Sequence, residues 1–326
     1  MSCSPSQTRA PATFLVLVTL SWIAIPSFVR ADEKEQSKDS TKASPPGHGP
    51  TLISLEFSYY GFSDLANPEV GTFEEDLQVS MMVTSFKGGI PTPFKNETII
   101  MVNSLFFEQR HLLYRGWDFD VTPRSEQPLN FYAIGWEFSL LAELKERIWL
   151  VTQLSWGLFS DLKDVDQNDD RIYGLILASF TLRNDLTLGV GLSYNPDFGV
   201  PAPIPLAQLS YQHRWFRVEA ILPSEGELLF IPHERTEIGF RGRVSGNEFR
   251  ATNRVNPLLN NFLVQISTID LGAAANFRFV KGLWFGLFAG GSVRNRYRAV
   301  QPNGDRAFDI SVRNSWVVSG RLFYRL

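Results

Sequence analysis

The last residues of the chain alternate between two faces. Read back from the end in steps of two, Leu326, Tyr324, Leu322, Gly320, Val318 and Trp316 share one face, and Arg325, Phe323, Arg321, Ser319, Val317 and Ser315 share the other. A period of two is the mark of a β-strand. In a soluble sheet this greasy, aromatic final strand would be an association-prone edge. In a barrel closed within lipid it is the strand that seals the sheet. The same alternation predicts strands over 52–60, 73–87, 97–109, 128–144, 146–159, 171–183, 185–195, 204–213, 215–222, 226–231, 235–245, 262–279, 281–298 and 311–326. Its phase is plainest where Ile148, Leu150, Leu154, Trp156 and Leu158 oppose Gln153, Ser155 and Gly157. It is equally plain where Leu186, Leu188, Val190, Leu192 and Tyr194 oppose Thr187, Gly189, Gly191 and Ser193. Glycine and hydroxyl residues make a poor apolar core but an ordinary lumen wall.

The connections alternate as well. Those near 61–72, 110–127, 160–170, 246–261 and 298–310 are long and polar, while those near 145, 184, 214, 232–234 and 280 are tight. Long outer loops with short periplasmic turns are the outer-membrane rule, and with both ends periplasmic the strand number is even. The expected fold of residues 51–326 is therefore all-β: a closed antiparallel transmembrane β-barrel of about fourteen strands. Twelve would follow if 215–231 were a bent excursion. Two junctions fit less well, with 88–96 long for a turn and 223–226 short for a loop.

Composition agrees. Hydrophobic residues make up 44% of the 326, with 26 Phe, 9 Tyr and 8 Trp, yet beyond residue 29 no apolar run is long enough to span as a helix. At the start, a short region bearing Arg9, the apolar stretch 13–29 and the small residues Val29 and Ala31 predict a signal peptide over 1–31. Residues 32–50, charged and rich in Ser, Pro and Gly, predict a flexible periplasmic linker. Cys3, the one cysteine, falls in the segment expected to be removed, which excludes disulfides and thiolate chemistry from the mature chain. Loss of Arg9 and Arg30 takes the net charge from −3 to −5, too weakly acidic to imply a nucleic-acid partner.

Strand phase places Arg241, Arg243, Arg278, Arg294, Arg296, Arg298, Arg313 and Arg321 toward the lumen, with Asp270 and Asn276 beside them. Asp76, Glu137 and Glu143 point inward from the first half. Opposed charge across a water-filled pore tunes selectivity; interlocked into pairs, the same groups would instead plug the barrel. The loop 161–170 holds Asp164, Asp166 and Asn168 at the first three ligand spacings of a calcium loop, but Asp169 stands where glycine is needed and Leu175 where the bidentate Glu belongs. Those three are weak metal candidates. His111, His213 and His233 lie near strand ends, and Ser210 points away from His213, so no nucleophile–base pair forms. No catalytic residue and no cofactor are expected.

Within 189–245 the residues Gly191, Tyr194, Asp197, Phe198, Gly199, Pro205, Tyr211, Trp215, Leu222 and Pro223 resemble the central signature of an uncharacterised bacterial outer-membrane β-barrel family, catalogued as a domain of unknown function. The resemblance implies an outer-membrane barrel and brings no substrate. The functional expectation is a porin-like channel for small polar or anionic solutes. The alternatives are a non-conducting structural or surface-interaction barrel with a plugged lumen and, less favoured, a barrel-embedded hydrolase. Expected partners are outer-membrane lipids, small solutes and the barrel-assembly machinery, met through the terminal strand.

Overall fold

A computed structural model describes residues 51–66, 78–94, 98–115, 130–195, 203–252, 262–300 and 306–325. The signal segment, the linker, Asp76, the Asp197–Gly199 tip and Leu326 lie outside the described residues.

Alternation becomes fifteen strand segments: β1 (Thr51–Ala66), β2 (Gln78–Phe94), β3 (Ile99–Arg115), β4 (Asn130–Lys145), β5 (Ile148–Ser160), β6 (Asp170–Arg183), β7 (Leu186–Tyr194), β8 (Pro203–Gln212), β9 (Phe216–Leu222), β10 (Glu225–His233), β11 (Thr236–Ala251), β12 (Phe262–Val280), β13 (Leu283–Val300), β14 (Arg306–Val312) and β15 (Ser315–Arg325). From β1 to β13 each segment pairs antiparallel with the next. β14 and β15 lie end to end between β13 and β1, parted only by Arg313 and Asn314. The result is a closed antiparallel barrel of fourteen staves. The terminal strand seals it, with Tyr59 opposite Val318 and Leu55 opposite Leu322 on one side and Ala289 opposite Val318 on the other.

The two faces divide as lipid and lumen require. Ile53, Leu55, Phe57, Leu154, Trp156, Leu188, Val190, Leu192, Leu228, Phe230, Trp316, Val318 and Leu322 are exposed on the outside. Their neighbours in sequence, Ser58, Ser155, Thr187, Leu229, Val317 and Ser319, are buried within. Among the described residues no helix is long and apolar enough to cross a membrane.

Several boundaries differ from the alternation. β1, β3, β11 and β13 continue outward to Ala66, Arg115, Ala251 and Val300, where the outside face no longer meets hydrocarbon and the apolar signal fades. The doubtful turn at 88–96 is mostly strand. β2 pairs with β3 as far as Phe94, but its pairing with β1 stops at Gly88, an edge setting that accommodates Pro91 and Pro93. Segments 216–222 and 225–233 are separate staves joined at Pro223–Ser224, across a cis Leu222–Pro223 bond, which gives fourteen and not twelve.

The wall is uneven. β7 to β10 hold 9, 10, 7 and 9 residues, against 16 in β11, 19 in β12 and 18 in β13. The ladder between β12 and β13 carries an irregularity of its own. On β13, Ser292 pairs with Asp270 and Arg294 pairs with Ile269, so Val293 is an extra residue forming a β-bulge.

Leu287, on the lipid face of β13 near the middle of the apolar band, tests the assignment of faces. Leu287→Arg should lower stability by about 2–4 kcal/mol in lipid vesicles, read by urea titration of the heat-modifiable folded form.

Candidate functional site

The lumen is filled by charge networks in its lower part and by apolar packing above. Toward the short-turn end, Arg217 is buried and forks onto Glu237, with Nη1 donating to Oε1 at 2.7 Å and Nη2 to Oε2 at 3.1 Å. Asn276 Nδ2 donates to the same carboxylate at 2.9 Å. Arg241 donates to Glu227 at 2.5 Å, Arg278 sits over the Trp284 ring, and Arg321 sits over Phe323. At mid-height Arg243 bridges the barrel, donating to Glu56 on β1 at 2.5 Å and to Asp270 on β12 at 3.1 Å, while the Tyr60 hydroxyl donates to Asp270 at 2.8 Å. Across the lumen Lys87 pairs with Glu137 at 2.5 Å and Arg110 with Glu108 at 2.7 Å.

Above these networks the outer half of the β11–β12 hairpin leans across the lumen. Phe249 is buried 5.2 Å from the Phe131 ring and 6.0 Å from Phe159, on the inner faces of β4 and β5. Ala251, Val264 and Ile266 belong to the same cluster, with Tyr173 and Tyr297 packed against it. The end of β11 runs parallel to the end of β5, where the Asp161 amide donates to the Arg250 carbonyl at 3.1 Å and the Thr252 amide to the Asp161 carboxylate at 3.0 Å. Arg250 inserts its guanidinium between Asp166 and Asp169, 3.1 Å from the latter, and Arg171 pairs with Glu248 at 3.0 Å. The tall staves thus meet above the low wall of β7 to β10.

Two cavities stand out in the remaining space among the described residues. One of about 310 Å³ is bordered by Phe106, Glu108, Glu137, Tyr173, Tyr194 and Asn247. The other, about 170 Å³, is bordered by Glu56, Tyr60, Glu108, Arg110 and Arg243.

The expected arginine wall divides in two. Arg241, Arg243, Arg278 and Arg321 face inward, as do Glu137, Asp270 and Asn276. Glu143 shares its face with buried Trp149. Arg294, Arg296 and Arg298 do not face the lumen. The bulge at Val293 slips the register by one residue, which exchanges the faces of everything above it. Asn295 and Tyr297 therefore take the lumen side, where Asn295 donates to Ser315 at 2.9 Å and Tyr297 reaches Met81. Arg294 is exposed, and Arg313, at the break between β14 and β15, is 70% exposed beside Asp64. The inward cations that matter most, Arg110 and Arg217, could have been found from phase, since each is flanked by outward residues.

Of the candidate calcium ligands, Asp166 is otherwise engaged. Asp166 caps the short turn Gln167–Asp169 by accepting from the Asn168 amide at 2.7 Å, and its carboxylate meets Arg250. The cation between these acids is a guanidinium. Among the described residues no group of acidic or histidine side chains is arranged to hold a metal. Ser210 and His213 do not come together: Ser210 pairs with Glu219 and Thr187 within the barrel, and His213 lies in the turn beyond. Of the signature residues, Gly191 lets β6 approach closely, since a Cβ there would stand 2.2 Å from the Ile176 carbonyl oxygen. Tyr194 pairs with Pro203 and Pro205 with Leu192 between β7 and β8, while Tyr211 and Phe216 lie 5.5 Å apart at the short-turn end, with Trp215 exposed beside them.

Residues 52–310 match the family described as Domain of unknown function (DUF6268). The chain belongs to that family. Comparison with curated proteins returns no match. Among solved structures, the chain is similar in fold to the COG4313 outer membrane channel of Pseudomonas putida F1, at 7% identity and a TM-score of 0.42, over 89% of this chain and 99% of that one. It is similar to the deltaS2 mutant of TodX, a monoaromatic hydrocarbon channel, at 10% identity and 0.45, over 89% and 93%. It is also similar to the NanC porin, at 8% and 0.37, over 84% and 100%.

Two outcomes check the lumen. Arg217→Ala strands Glu237 and Asn276 in a buried site and should cost about 3–5 kcal/mol in urea unfolding. Arg294→Gln with Arg296→Gln, both outside, should leave the reversal potential of any conducting state unchanged; a shift toward cations would return these arginines to the lumen.

Proposed function

We propose that this family member is an outer-membrane barrel with a closed resting lumen: a gated conduit for small polar solutes rather than an open general porin. The observation that carries this reading is the clamp between β11 and the loop after β5, in which Arg250, Asp166, Asp169, Asp161 and Thr252 hold the hairpin over the mouth. Two cavities in the remaining space, of about 310 and 170 Å³, share Glu108 as a border. An anion-selective arginine wall is not part of this reading, because half of the expected arginines lie outside and, of the inward ones, Arg241 and Arg243 are matched by Glu56, Glu227 and Asp270. The low wall of β7 to β10 gives the hairpin a place to cross without lengthening the barrel.

In planar bilayers the folded protein should be electrically quiet at low voltage, and Arg250→Ala should introduce opening events while leaving heat-modifiable migration intact. Steady large conductance from the unaltered protein would defeat the gate.

The clamp also has an acid signature. Asp166 is held below the ordinary carboxylate range, chiefly by the Asn168 amide and further by Arg250, so its contribution to closure is present above that range and is lost as pH falls through its lowered value. Burial pushes Asp169 upward, so its protonation as pH falls favours the closed form. Mild acid should therefore leave the barrel closed, with opening events appearing only below the ordinary carboxylate range. Opening between neutral and mildly acid pH would remove Asp166 from the gate.

A further inference from the structure

The bulge that turns three arginines out of the lumen gives them another partner. Above Val293 the outward face of β13 presents Arg294, Arg296 and Arg298 at alternate positions, and Arg313 stands exposed at the adjoining break in the last stave. In the ladder Arg294 pairs with Ile269, and Arg296 with Ser267 and Ser311. Arg298 pairs in the ladder with Gln265 and Asp309, and its Nε is buried without a hydrogen-bond acceptor among the described residues, which leaves its terminal Nη groups to face outward.

Their height identifies the medium they face. Arg294 is eleven residues beyond Leu283, where β13 begins. At roughly 3.4 Å per residue and a tilt of about 35–45°, it sits roughly 26–31 Å above the periplasmic edge of an apolar band about 25 Å tall. An independent marker agrees. Trp316, opposite Gly291, lies 5.1 Å from Tyr59 on the outer surface, and Gly61 leaves room for its ring, since a Cβ there would stand 2.2 Å from the indole nitrogen. Paired aromatics of this kind mark the boundary between hydrocarbon and headgroups. The arginines begin three residues above Gly291, at headgroup level. Facing hydrocarbon, each would cost about 2–4 kcal/mol; facing phosphate, each becomes a charge-assisted donor, and Arg forks onto phosphate oxygens with two parallel bonds.

We infer that Arg294, Arg296, Arg298 and Arg313 form a docking site for the phosphorylated headgroup of an outer-leaflet glycolipid. The site holds the lipid against the outside of β13 and the last stave. This rests on the outer-membrane reading of the barrel but not on the gate.

The test compares the folded protein with an Arg294→Gln, Arg296→Gln, Arg313→Gln variant in mild detergent, by native mass spectrometry. The probes are bisphosphorylated lipid A, its dephosphorylated form and inorganic phosphate. The unaltered protein should retain the bisphosphorylated lipid at least about ten-fold better than the dephosphorylated one, and the variant should lose that preference, because each basic residue near a charged headgroup contributes about 1 kcal/mol. Equal retention by protein and variant, or equal retention of the two lipids, would overturn the site. So would inorganic phosphate displacing the lipid at comparable concentration, which would assign the patch to a free anion. Heat-modifiable migration of the variant reads the barrel separately: its loss would fault the membrane reading, whereas weakened lipid retention by a folded variant supports the docking site. An Arg241→Gln variant, altered in the lumen, should keep the lipid; losing it equally would also overturn the outside placement.

Discussion

A sheet immersed in hydrocarbon must satisfy every backbone N–H and C=O from within itself, because no water is present to take them. That constraint leaves the terminal strand no choice but to pair with β1 and makes closure the condition for every other feature. Once Ser315–Arg325 joins the first and thirteenth staves, each residue has a fixed face, and face decides chemistry. Leu322 and Val318 meet lipid while Val317 and Phe323, one step away, are buried in the lumen. The lumen can then be built from groups that a soluble core would not tolerate, because inward charges such as Arg217 and Arg243 are answered from other staves. Arg243 reaches Glu56, 187 residues away, and Arg110 lies over Phe249.

Alternation made most of this legible in the sequence. Lipid imposes a period of two with little interference, so Leu186–Tyr194 and Ile148–Leu158 could be phased without any knowledge of partners. Legibility failed where the physical cause of the pattern stops. Beyond the membrane the outward face of β1, β3, β11 and β13 no longer needs apolar residues, and the strands continue unannounced to Ala66, Arg115, Ala251 and Val300. It failed again at Val293, where an extra residue costs the pattern nothing locally, because valine suits either face. A run of arginines at alternate positions has a correct period and an ambiguous phase. Only the ladder partners, Ser292 with Asp270 and Arg294 with Ile269, resolve it.

The closure of the lumen was hidden for a different reason. Phe249 and Ala251 fall in 246–261, expected as a long polar connection, and Val264 and Ile266 at the start of the strand expected over 262–279, yet all four join one buried apolar cluster inside the barrel. Their partners, Phe131 and Phe159, come from β4 and β5, about a hundred residues earlier in the chain, and no local signal joins them. The acidic loop misled in a similar way. Asp166 has the spacing of a cation ligand and, together with Asp169, does hold a cation, but it is the guanidinium of Arg250, supplied from about eighty residues downstream.

The low side of the wall has a mechanical consequence for the surrounding bilayer. β9 has seven residues, which at about 3.4 Å each and a tilt of about 35–45° rise only about 17–20 Å, short of a band about 25 Å tall. The opposite side, through β1, β2 and β3 with 16, 17 and 17 residues, is far taller. A cylinder with unequal apolar height around its rim matches lipid best by leaning or by drawing the outer leaflet down beside its short side. Lipid acyl chains on that flank are compressed and those beside β2 are not, so the molecule carries a preferred orientation in the plane of the membrane, set by the lengths of four strands.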